Sequence, residues 1–156
     1  MATTTAVLLR SGDARDVPTV DALMAAAFEP RYGEAWTRGQ CVGVLAMPGV
    51  RLTLAFVDER PAGFALTRTI LDEAELLLIA VAPRERRHGV GGALLRAVIA
   101  EGQAAGVVKL HLEVRAGNPA AALYTREGFA RIGVRPGYYR GTGSDNYDAH
   151  TYAREL

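Results

Sequence analysis

Cysteine is nearly missing from this chain. Cys41 stands alone among 156 residues, so no intramolecular disulfide can form and no cysteine set is available for a metal. A surplus of one charge is missing too: 18 Lys and Arg against 17 Asp and Glu leave a net charge of +1. That is too little for a dedicated nucleic-acid binder or a polybasic membrane anchor, so neither nucleic acid nor membrane is expected as a partner. Apolar runs stay short. Leu76 to Ala82 is among the longest, far below the roughly 20 residues a bilayer-spanning helix needs, and it reads as a buried strand. The first ten residues carry no basic segment followed by an apolar stretch of leader length, so no secretion signal is expected and a reducing cytoplasm fits best. His88, His111 and His150 are scattered without metal-ligand spacing, and no metal is expected. Ser11 and Ser144 lack the Gly-x-Ser-x-Gly elbow of a serine hydrolase.

What remains is an ordinary globular composition, with 49% hydrophobic and 22% charged residues, and a length suited to one core. A single domain over 1–156 is expected, monomeric by default.

Val7 to Leu9 reads as a short strand. A helix follows, with Asp16 as N-cap, Pro18 in its first turn and Leu23, Met24 and Phe28 facing inward. A second helix is expected from about Glu34 through Trp36, Cys41 and Leu45, ended by Pro48-Gly49. Val50 to Val57 and Ala62 to Ile70 form a hairpin across Asp58-Glu59-Arg60-Pro61. Glu75 to Val81 is almost wholly apolar, as a strand covered on both faces should be. Leu94, Leu95, Val98 and Ile99 recur at helical spacing up to Gly102 or Gly106. A strand over Val107 to Val114, a short helix from Asn118-Pro119 through Tyr124, and two strands at Ala130 to Val134 and His150 to Ala153 complete the chain. This order predicts a three-layer α/β domain around one mixed sheet.

Between the apolar strand and the helix that follows lies Arg84-Glu85-Arg86-Arg87-His88-Gly89-Val90-Gly91-Gly92. Successive N–H groups at a helix start, the helix dipole and nearby cations make this a place for a pyrophosphate. The pattern lacks the Gly-Lys-Ser/Thr ending of a Walker loop and the third glycine of a dinucleotide fingerprint.

The strand Ile79-Ala80-Val81, then Pro83 and Arg86-x-x-Gly89-x-Gly91, resembles the acyl-CoA signature of the GNAT superfamily of N-acetyltransferases. Leu110 to Arg115, followed by Asn118-Pro119, Leu123-Tyr124 and Gly128-Phe129, resembles the second signature of its RimI-type branch. That branch acetylates protein N-termini, notably an N-terminal alanine of a small-subunit ribosomal protein. The resemblance covers about Leu71 to Ala153. It implies a three-layer α/β/α fold around one mixed, mostly antiparallel sheet, and acetyl-CoA as cosubstrate. It also implies backbone contacts to the pantetheine arm from Ile79, Ala80 and Val81, and a pyrophosphate seat at Arg86, Arg87, His88, Gly89, Val90, Gly91 and Gly92. Glu113 matches the general base, Tyr124 the general acid and Asn118 a cofactor-contacting amide. The spacing from Asn118 to Tyr124 is one residue shorter than usual, which predicts that the helix start absorbs the deletion and displaces Asn118 while Tyr124 keeps its place.

Chemistry agrees with these roles. An amine attacking a thioester must shed a proton, which a strand-end carboxylate can take, and a leaving thiolate needs one, which a phenol can give. Tyr32, Trp36, Tyr138 and Tyr139 are candidates for an acceptor groove or for packing. Asp72, Glu73 and Glu75 are candidates for receiving a basic residue of a peptide or for solvated turn charges. Three functions compete: N-terminal acetylation of a protein, acetylation of a small-molecule amine, and acyl-CoA binding without turnover.

Overall fold

The structure is a computed structural model describing residues 6–156; residues 1–5 lie outside the described part. β1 (Val7–Gly12) leads through a 3-10 turn into α1 (Val17–Ala27), and α2 (Arg38–Leu45) follows after a loop. β2 (Val50–Val57), β3 (Arg60–Ile70) and β4 (Glu73–Val81) form an antiparallel meander. Then come α3 (Val90–Ala104), β5 (Lys109–Arg115), α4 (Ala121–Arg126), β6 (Ala130–Arg140) and β7 (Asn146–Glu155). The seven strands lie in the order β1-β2-β3-β4-β5-β7-β6. Among the described residues only β4 and β5 pair in parallel, because α3 connects them as a crossover.

Apolar side chains on the two sheet faces explain the layers. Val90, Leu94, Leu95, Val98 and Ile99 of α3, with Tyr124 of α4, pack on Ala65, Leu76, Leu110 and Leu112. Val20, Leu23 and Met24 of α1 and Cys41 of α2 pack on Leu54, Phe64, Leu66 and Leu78 across the other face. The fold is thus the α/β/α arrangement expected, with one mixed sheet.

Several boundaries move, each for a local reason. The second helix begins at Arg38 rather than near Glu34, because Thr37 and Gln40 form a capping box. Thr37 Oγ1 accepts from Gln40 N at 3.2 Å, and Gln40 Oε1 accepts from Thr37 N at 2.7 Å. Asp16 precedes α1 but does not cap it with its side chain; its carboxylate accepts from Asp13 N and pairs with Arg10. Phe28 lies just past α1 and is partly buried against the α1 face. The last two strands are longer than predicted because they pair with each other out to Arg140 and Asn146.

One irregularity matters for the site. Leu66 pairs with Leu78 while Thr67 pairs with Leu76, so Leu77 is an extra residue bulged out of β4. Ala74 and Leu76 pack on the α3 face, whereas Leu77 and Leu78 both belong to the α1 face. The pairing of β4 with β5 stops at the same level, its last partners being Leu76 and Leu112. Beyond that point the two strands part.

Candidate active site

The parting of β4 and β5 opens a cleft of about 900 Å³. Its lining includes Leu77 to Val81 of β4, the turn from Glu85 to Gly92, and Glu113, Asn118 and Tyr124. The sequence-predicted residues therefore converge on one opening, with a single exception: His88 is not part of the lining, and its Nδ1 faces Glu85 Oε2 at 3.3 Å.

The wall formed by the turn suits an anion. Gly89 precedes α3 with φ +77, a left-handed conformation that glycine adopts without a Cβ penalty. The first turn of α3 leaves N–H groups without intrahelical partners, at the positive end of the helix dipole. A methyl group on Gly91 would stand 3.1 Å from Leu123 Cδ2, so glycine there lets α3 and α4 approach closely. Arg86 donates from Nη2 to Ala27 O at 3.2 Å, and Arg87, at φ +69, lines the cleft.

Glu113 is the first residue of β5 past its last pair with β4. Its side chain is 8% exposed. Its cross-strand neighbour Thr151 donates to Oε2 at 2.6 Å, and Arg135 Nε lies 3.2 Å from Oε1. A carboxylate has about four lone-pair positions, so a partner on each oxygen fixes its orientation and leaves capacity to accept a proton. Tyr124 packs edge-on against Phe129 at 6.0 Å between ring centroids and lies 6.1 Å from Tyr152. Burial, with the nearby charge of Glu34, pushes its phenol well above the usual tyrosine range. At neutral pH it keeps its proton.

Asn118 is engaged by the protein at both atoms of its amide. Its Oδ1 accepts from Ala120 N at 2.9 Å, which turns the chain into α4, and its Nδ2 donates to Glu34 Oε2 at 2.9 Å. Glu34 also accepts from Arg115 Nε at 3.1 Å, and the Arg115 guanidinium stacks 3.6 Å over the Tyr32 ring. This cluster of Tyr32, Glu34, Arg115 and Asn118 ties the segment between α1 and α2 to the end of β5. Sequence reading missed Glu34 and Arg115, for no local motif marks partners more than 80 positions apart. Tyr139 donates to Glu113 O at 3.3 Å, and its phenol is likewise raised by burial. Tyr32, Trp36, Tyr138 and Tyr139, the aromatics weighed as groove residues, all line the cleft. A second groove of about 410 Å³ adjoins it through Trp36, Glu75 and Leu77 and includes Asp72, Glu73 and His111.

A mixed sheet split between β4 and β5, with a glycine-rich helix start on one side and a carboxylate and a phenol at the split, defines an acyltransferase architecture. Residues 18–129 match the acetyltransferase (GNAT) family, and the chain belongs to that family. It is similar to the [ribosomal protein bS18]-alanine N-acetyltransferase of Salmonella typhimurium, 51% identical over 83 residues that cover 53% of this chain and 56% of that protein. The corresponding Escherichia coli protein is 51% identical over 79 residues, 50% of this chain and 53% of that protein. The chain thus spans about half the length of the curated relatives it matches. Among solved structures, the ribosomal-protein-S18-alanine N-acetyltransferase from Escherichia coli superimposes with a TM-score of 0.85 at 32% identity, covering 97% of this chain and 94% of that one. Ard1 from Thermoplasma volcanium gives a TM-score of 0.83 at 26% identity, covering 97% and 98%.

Proposed function

We propose that this chain transfers an acetyl group from acetyl-CoA to the α-amine of a protein N-terminus, of the ribosomal-protein alanine type, acting as a cytoplasmic monomer without a metal. The observation that carries this reading is the placement of Glu113 and Tyr124 on the lining of one cleft whose far wall is the free start of α3.

When bound, acetyl-CoA supplies an activated thioester carbonyl. The N–H groups at the start of α3, with Arg87, would hold its pyrophosphate, and Ile79 to Val81, paired with β3 but not with β5, would offer backbone groups to its amide arm. Glu113 takes a proton from the acceptor ammonium, directly or through a water. Tyr124, kept neutral by burial, gives a proton to the departing sulfur. An α-amine with pKa near 8 is roughly 300-fold richer in its reactive neutral form at neutral pH than a lysine near 10.4, so one modest carboxylate base suffices.

A protein acceptor is supported by the adjoining groove. Glu75 stands level with His111, two positions before Glu113 on β5, or about 7 Å along a strand. An extended peptide entering at Glu113 and running along β5 therefore carries its second or third residue past Glu75, with Glu73 two positions further on, level with Lys109. The small-amine reading has no comparable feature in the structure to favour it.

The test is acetyl-CoA turnover, followed as free thiol, on short peptides differing in their first three residues, with polyamines and free amino acids beside them. An Ala-starting peptide with a basic second or third residue should be acetylated fastest, and Glu113→Gln should abolish transfer while sparing CoA binding. Preference for a small amine would overturn the acceptor reading.

A further inference from the structure

Three arginines and a histidine crowd the turn, at Arg84, Arg86, Arg87 and His88, and the protein disposes of them differently. Glu85 is the reason. It is 1% exposed, and its Oε1 accepts from Arg60 Nε at 3.1 Å and from Arg60 Nη2 at 3.0 Å. Arg84 Nε lies 3.6 Å from the same oxygen, and His88 Nδ1 lies 3.3 Å from Oε2. A carboxylate so far from water stays charged only with such partners. Hydrogen bonding from Arg60, and after it from His88, holds it below the usual carboxylate range against the opposing effect of burial.

The position of this cluster gives it a task. Arg60 opens β3, so Glu85 fastens the turn to the β2–β3 hairpin, and His88, between two left-handed residues, Arg87 at φ +69 and Gly89 at φ +77, has its Nδ1 against the Glu85 carboxylate. Arg86 is bound to α1. Arg87 makes no salt bridge among the described residues.

We propose that Glu85 is a positioning residue for the cofactor: by gathering Arg60, Arg84 and His88 around its carboxylate, it fixes the backbone of residues 86–92 and leaves Arg87 and the free N–H groups of α3 to the pyrophosphate. This rests on the acetyl-CoA reading above. Glu85 is held by Arg60, Arg84 and His88 and acts through the turn, so its removal should weaken phosphate recognition and spare the chemistry.

The experiment compares wild type, Glu85→Gln, Arg60→Gln and the double variant in calorimetric CoA binding and in turnover of two donors, acetyl-CoA and S-acetylpantetheine, which lacks the pyrophosphate. Each single variant should bind CoA roughly tenfold more weakly, with the acetyl-CoA KM raised and kcat within about twofold. The double variant should be no worse than the weaker single, since both break one contact. Turnover of S-acetylpantetheine should be unaltered. Equal losses with both donors would show a general structural role and overturn the proposal, as would undiminished CoA binding in both single variants. If Glu85→Gln fails to fold, Arg60→Gln and His88→Ala, at more exposed positions, carry the same test. Wild-type protein that binds no CoA would instead overturn the cofactor reading itself.

Discussion

The two walls of the cleft are built on different principles. The wall proposed for the pyrophosphate, the phosphate wall of that reading, comes from one stretch of chain, Leu77 to Gly92, and presents mostly backbone: a strand edge left unpaired toward β5 past the Leu77 bulge, then the start of α3. The acceptor wall is assembled from side chains of distant segments. Glu34 meets Arg115 and Asn118, Thr151 meets Glu113, and Tyr139 reaches back to the Glu113 carbonyl. A pyrophosphate needs only N–H groups and positive charge, which one turn can supply. Selecting one amine among many needs shape and charge converging from several elements, and that invests the acceptor wall in long-range contacts.

The largest effect that would sharpen this contrast lies at the reacting end. Tyr124→Phe should lower kcat by about 10²–10³-fold while leaving CoA affinity within twofold, as steady-state kinetics and calorimetry will show; an equal loss of CoA binding would break the division between walls. Next is the acceptor wall itself. Glu34 and Arg115 form a pair only 9% and 12% exposed, so Glu34→Ala should cost about 3 kcal/mol in denaturant unfolding and raise the acceptor KM more than the acetyl-CoA KM. Arg87→Ala should do the reverse: roughly tenfold weaker CoA binding at low salt, a gap that narrows as ionic strength rises, and no change for the acceptor.

Smaller effects follow from pH. The carboxyls of Glu85, Asp13 and Asp16 are held below their usual values in the folded chain, chiefly by Arg60, Arg15 and Arg10 in turn. Their contribution is present above the ordinary carboxylate range and is lost as pH falls through the lowered values, so stability should decline on the acid side. The buried phenols of Tyr124 and Tyr139 are raised, so the unfolded chain ionises first and stability should also decline as pH climbs past the usual tyrosine range near 10. Thermal melts across pH check both limbs. Smallest of all, Arg15→Ala breaks a pair whose arginine is 90% exposed, and its melting temperature should stay within a degree or two of wild type.

The phosphate wall was largely legible before any fold was known. Ile79 to Val81, Pro83 and Gly89-x-Gly91-Gly92 lie together in the chain, and the conformations they adopt are local consequences of residue type, such as φ +77 at Gly89. Glu113 and Tyr124 were legible as residue types at a strand end and on a short helix. Their partners were not. The start of α2 was misplaced because Glu34 looks like a helix opener, whereas the Thr37–Gln40 capping box wins locally and releases Glu34 for Arg115 and Asn118. The Leu77 bulge was invisible because Leu76 to Leu78 are three identical residues, and nothing in identical side chains says which one steps out of register.

By itself the sequence determined which segments are strands and helices and how many layers they make, and it marked the turn proposed for an anion, because periodicity, glycine and proline act over a few neighbouring residues. Only the tertiary structure decided that β4 and β5 part at Leu76 and Leu112, that Arg135 and Thr151 hold Glu113, and that His88 turns to Glu85 and away from the cleft. Those outcomes depend on which distant charges and strand edges are brought within a few ångströms, and packing sets that across the whole chain.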